Sequence, residues 1–198
     1  MRFYLIGCIL LCGVGSLYSG GTQVETKSAA GGISTNSTRM QKMNFSKKGL
    51  NLLKFLEKFE WKPYPDSAGN QTIGYGHKIK KGEAFITLTV PEAENLLKQD
   101  VAPIEKFLNV HLKTLITQNQ FDALVIFIFN IGEAAFISSH VFEDLKNRRY
   151  DEATKPWSKW INITKYETCA STGERIKRLV PVEGLIHRRQ TEIQLFNA

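Results

Sequence analysis

The chain has 198 residues, of which 42% are hydrophobic, 11% aromatic and 23% charged. That composition excludes a wholly disordered, collagen-like or coiled-coil chain and suits one globular domain with a tail. Lys and Arg number 26 against 19 Asp and Glu, a formal net charge of +7 that favours anionic partners. The basic clusters, Arg148-Arg149 and Lys177-Arg178 with Arg188-Arg189, are not interleaved with aromatics, so nucleic acid is not an expected partner.

Residues 3–24 carry no charge and follow Arg2. The apolar stretch Phe3 to Tyr18 is shorter than the roughly 20 residues a spanning helix needs, and suits a secretory signal. Residues 1–21 are therefore expected to be a signal peptide or signal-anchor. The protein would be secreted or periplasmic, or, with the segment uncleaved, tethered to a membrane through residues 3–21. Cys8 and Cys12 lie in this segment and Cys169 is the third cysteine, so a cleaved chain has no intramolecular disulfide. Residues 22–44 are rich in Ser, Thr, Gly, Asn and Gln without an apolar period and read as a flexible linker. The folded domain is expected over 45–198.

Ser46 can cap a helix whose Leu50, Leu53 and Leu56 recur at helical spacing, with Glu57 on the same face. Pro63 and Pro65 place its end near Phe59 to Lys62. The Gly-rich segment that follows, with Gly69, Gly74, Gly76 and Gly82, predicts a hairpin or three-stranded sheet. Thr89 with Glu92, and Thr117 with Gln120, are capping boxes that open two helices. The second, "FDALVIFIFNIG", is apolar almost all round and is expected to be a central buried helix. Further helices are expected over 139–147, 150–160 and 184–196. The fold class is α+β: one helix and a small sheet beside a mainly helical lobe.

Glu57, Asp66 and Thr72 are the candidate catalytic residues. Burial beside an apolar helix face would raise the pKa of Glu57, as a general acid requires. Asp66, in a turn between Pro65 and Ser67, can stay ionised among donors and water. Two carboxyls in unlike settings are what cleavage of a glycosidic bond needs. On spacing alone, a pair of solvated surface acids remains the commoner outcome.

The segment "EKFEWKPYPDSAGNQTIGYGH" resembles the catalytic signature of the phage-type lysozymes, glycoside hydrolase family 24. Glu57, Asp66, Thr72, Gly74, Gly76 and His77 fall on the family pattern, and Tyr64 matches its aromatic two before the Asp. "TVPEAENLLKQDV", "QFDALVIFIFNIGEAAFISS" and "GLIHRRQTEIQLF" look like later helices of the family, so the likeness spans roughly 46–198. The resemblance implies a lysozyme-like fold and an N-acetylmuramidase acting on peptidoglycan as a monomer, with no metal and no organic cofactor. It implies Glu57 as acid, Asp66 as base or charge stabiliser and Thr72 as the residue positioning water. Inversion at the anomeric carbon would separate the carboxyls by about 6.5 to 9.5 Å.

Two departures stand out. Lys58 occupies a place that is usually Gly, and "KYETCASTGERIKRLVP" is longer than the usual turn and reads as a loop near the cleft. Tyr64 and Asn130 are candidate substrate contacts. Glu60 fails the acid's spacing. His77 is expected in a structural hydrogen bond, Trp157 and Trp160 in packing, and Arg188 and Arg189 in structural ion pairs. A lytic transglycosylase, which needs only the acid, and a non-catalytic wall-binding or membrane-disrupting protein are the alternative functions.

Overall fold

The computed structural model describes residues 42–66, 69–112, 116–169, 171 and 173–198. The expected leader and nearly all of the expected linker lie outside the described residues. No helix among the described residues is long and apolar enough to cross a membrane.

Helix α1, Lys47–Glu57, begins where Ser46 accepts a hydrogen bond from the Gly49 N–H, and it buries Leu50, Leu53 and Glu57. It stops at Glu57, short of the expected end near 59–62. Lys58 takes φ 57° and ψ 155°, which ends the helix before either proline is reached. Strands β1 (Glu60–Pro65), β2 (Gln71–Gly74) and β3 (His77–Lys78) follow and pair antiparallel in the order β1-β2-β3. Tyr64 sits opposite Thr72, and Ile73 opposite His77.

Both capping boxes form. Thr89 opens α2 (Val90–His111) and Thr117 opens α3 (Gln118–Ile131), each with its acid or amide partner bonded back to the cap. Helix α3 is buried on nearly every side, and its large residues leave water almost completely. At about 1.5–3 kcal/mol for each large apolar side chain, this helix anchors the domain. Trp157 stacks on Phe127 with ring centroids 4.2 Å apart and planes 3° from parallel, so it serves packing.

Helices α4 (Glu133–Ile137) and α5 (His140–Lys146) come next, and α4 had no expectation in the sequence. The helix expected over 150–160 is not continuous. It is a single turn, α6 (Tyr150–Ala153), and then a 3-10 turn over Lys155–Lys159, where Pro156 supplies no N–H. The long segment before the last helix is not a loop. It forms an antiparallel ribbon of β4 (Asn162–Thr168) and β5 (Arg175–Pro181). Helix α7 (Glu183–Asn197) closes the chain and packs along α3.

The chain meets the domain before Phe45. Asn109 accepts from the Met43 N–H and donates to the Met43 carbonyl, both at 2.8 Å. Gln118 donates to the Asn44 carbonyl at 2.9 Å, and Asp122 receives the Ser46 N–H at 3.0 Å. The last two linker residues are thus held by side chains of α2 and α3, which satisfy backbone groups that no strand pairs.

Candidate active site

Glu57 ends α1 and is 3% exposed. Its expected apolar niche is in fact a charged one: Arg188 of α7 lies 2.8 Å from Glu57 Oε1. Arg188 also donates to Glu192 at 3.0 Å, and Glu192 in turn is 2.9 Å from Arg189. Arg189 donates to Asn130 Oδ1 at 2.7 Å. A buried chain of alternating charge therefore runs from Glu57 through Arg188, Glu192 and Arg189 to the end of α3.

Such charges survive burial only when each is paired. Burial works to lower the pKa of Arg188, but the carboxylates of Glu57 and Glu192 outweigh it and raise it. Arg189 is pushed down to about 10 by burial, with Arg188 adding to that effect and Glu192 opposing it. Burial pushes Glu192 up against the pull of both guanidiniums.

Asp66 follows β1 directly and is 8% exposed. Asn70 holds it twice: the Asn70 N–H donates to Oδ1 at 2.8 Å, and the side-chain amide to Oδ2 at 3.0 Å. The Asp66 N–H donates to the Asn70 carbonyl at 2.8 Å, closing the turn. Lys78 on β3 brings its ammonium to 4.0 Å. Thr72, fully buried, donates to the same Asn70 carbonyl at 3.2 Å. Asn70 thus ties Asp66 and Thr72 into one unit at the end of the β1–β2 hairpin.

Tyr64 is half-buried on β1, across from Thr72. Asn130 is buried, and its carbonyl oxygen is taken by Arg189, which puts it in the network behind Glu57. His77 is bracketed by Asp100 at 2.8 Å and Glu83 at 2.9 Å, joining β3 to α2. Sequence reasoning expected ion pairs for Arg188 and Arg189 but did not find Glu57 as a partner. Glu192 went unnoticed, although Arg188, Arg189 and Glu192 stand at i, i+1 and i+4 on one helix, the spacing that brings side chains together. Asn70 was read only as a possible glycan acceptor, and its Asx-turn geometry beside an Asp was the missed signal.

The chain's relatives agree with this arrangement. The phage lysozyme family model matches residues 54–192. An endolysin of Acyrthosiphon pisum secondary endosymbiont phage 1 is 36% identical over 156 residues, 79% of this chain and 99% of that protein. Among solved structures, the muramidase domain of SpmX from Asticaccaulis excentricus is 32% identical with a TM-score of 0.68, covering 78% of this chain and 98% of that one. A P22 lysozyme mutant is also 32% identical, with a TM-score of 0.60 over 79% of this chain and 99% of that one. With a lysozyme-like α+β fold and a family match over most of its length, the chain belongs to the phage lysozyme family and is a peptidoglycan-hydrolysing enzyme.

Proposed function

We propose that the enzyme hydrolyses the β-1,4 bond between N-acetylmuramic acid and N-acetylglucosamine. In this reading Glu57 protonates the leaving oxygen, Asp66 acts as base or stabilises the developing positive charge, and Thr72 positions the water. The carrying observation is the contrast between two buried carboxyls on one helix–strand–turn unit. Glu57 faces a guanidinium shared with Glu192, while Asp66 is held by neutral amide donors. When Glu57 carries a proton, Arg188 keeps Glu192 as its counter-ion. The network therefore tolerates both states of Glu57 that acid catalysis passes through.

Glu57→Gln is expected to lower the release of reducing ends from purified peptidoglycan by about 10²- to 10⁴-fold. Turnover retained in that variant would remove Glu57 from the mechanism. Asp66→Asn separates hydrolysis from the transglycosylase alternative, which dispenses with the second carboxylate. Loss of activity with reducing rather than anhydro ends in the wild-type product supports hydrolysis. Residues 1–21 are read as the export segment that takes the enzyme across the cytoplasmic membrane. Mass spectrometry of the exported protein should find an N-terminus near residue 21, whereas a retained Met1 would make the segment an anchor.

A further inference from the structure

The β4–β5 ribbon plays no part in the site described above. Its ladder is unbroken from Asn162 opposite Pro181 to Thr168 opposite Arg175. Every residue from Thr164 to Thr168 and from Arg175 to Leu179 is exposed. The base is fixed, because the Val182 N–H donates to the Ile161 carbonyl at 2.9 Å and the Val182 carbonyl accepts from Leu185 and Ile186 at the start of α7. The ribbon is thus an arm rooted on the helix that carries Arg188.

A two-stranded ribbon is marginally stable in water, and its open edges and bulky apolar residues favour a partner. Tyr166 is 56% and Leu179 66% exposed. Strand alternation sorts the side chains into two unlike faces. One face presents Tyr166, Lys177, Arg175, Leu179 and Thr164, with no carboxylate among its ladder positions. Arg175 lies 4.4 Å from the centre of the Tyr166 ring. The opposite face neutralises itself in part, since Arg178 pairs with Glu167 at 3.1 Å.

We infer that the Tyr166 face is a docking surface for peptidoglycan strands, separate from the residues that cleave them. An aromatic ring packs on the apolar face of a sugar. Arg175 and Lys177, two residues apart on one strand, present cations in line to the carboxylates of a linear polymer. A bilayer-inserting ribbon would instead carry large apolar residues at its turn. The turn sequence from Cys169 to Glu174 contains none and ends in an acid. The inference rests on peptidoglycan as the substrate, which the family assigns independently of this ribbon.

The test uses the full chain with Tyr166, Arg175 and Lys177 all replaced by Ala. Binding to insoluble purified sacculi is measured by co-sedimentation at low and high salt, and turnover is measured on short soluble glycan fragments. The expected result is about tenfold weaker sedimentation and a shallower salt dependence. Turnover on fragments and the melting temperature should stay unchanged. Arg175→Lys with Lys177→Arg should retain binding. Unchanged sedimentation of the triple variant would overturn the inference, as would equal losses on fragments and sacculi. So would loss of binding only to anionic phospholipid vesicles. Failure of the wild type to cut fragments would count against the hydrolytic reading alone, because sacculus binding is read separately.

Discussion

Lys58 shows how one residue sets the end of an element. It follows Glu57 at φ 57°, a region that disfavours side chains with a Cβ and suits Gly. The family's habit of Gly at this place has a physical reason here: α1 must stop abruptly so that Glu57 is its last helical residue. Lys58→Gly is expected to stabilise the protein by about 1 kcal/mol, because relief of strain outweighs the added entropy of the unfolded chain. Urea denaturation would check this, and a destabilised variant would show that the Lys58 side chain matters more than its backbone. Arg188 is the second decisive residue. Removing it leaves Glu57 and Glu192 buried with one cation fewer between them. Arg188→Ala is expected to cost about 3–5 kcal/mol, the usual penalty for breaking a buried pair. Arg188→Ala combined with Glu57→Gln should cost less than the sum of the two single changes, because the isolated carboxylate is then gone.

At the level of elements, local chemistry and long-range contact divide what the sequence reveals. The two capping boxes and the buried α3 were legible because a cap lies within four residues of its partner and an all-apolar helix has one way to be buried. The three-stranded sheet followed from its glycines. The ribbon was not legible: Lys165 to Pro181 lacks the alternation of a half-buried strand, since both of its faces are wet. The Arg188–Glu57 pair was hidden for another reason, as its partners stand on the first and last helices. The fit of α1 against α3 also depends on such a distant contact. A Cβ at Gly49 would lie 2.5 Å from Phe45 Cε2 and 2.8 Å from Asp122 Cγ. Asp122 holds both the N–H and the hydroxyl of Ser46, the cap of the same helix. Helix propensity alone would make Gly49→Ala stabilising by about 1 kcal/mol. The close approach reverses the sign, and a loss of about 1–3 kcal/mol in urea denaturation is expected. A stabilised variant would mean that α1 can slide away from Asp122 without losing its cap.

Across the whole molecule, ionisation couples stability to pH with two opposing slopes. Glu94 is held well below the ordinary glutamate range by Lys54 and then Lys98, and Glu92 by its bonds to Thr89. Glu83 is lowered by the Lys80 N–H and then His77. Each binds its proton less tightly folded than unfolded. Their contribution is complete above the ordinary glutamate value of about 4.3 and drains away as pH falls through the lower folded values. Asp100 runs the other way. Burial raises its pKa, against the pull of His77 and Lys80 and with some help from Glu83. The folded chain therefore gains a proton at Asp100 at a pH where the unfolded chain has none, and mild acid stabilises it. The melting temperature should hold or rise from pH 7 to about 5, then fall below about pH 4. Asp100→Asn should remove the gain in mild acid, and Glu94→Gln should flatten the fall in strong acid. Calorimetry of the three proteins across this range is the measurement. A melting temperature that climbs steadily to pH 3 would show that the paired glutamates contribute nothing to the fold.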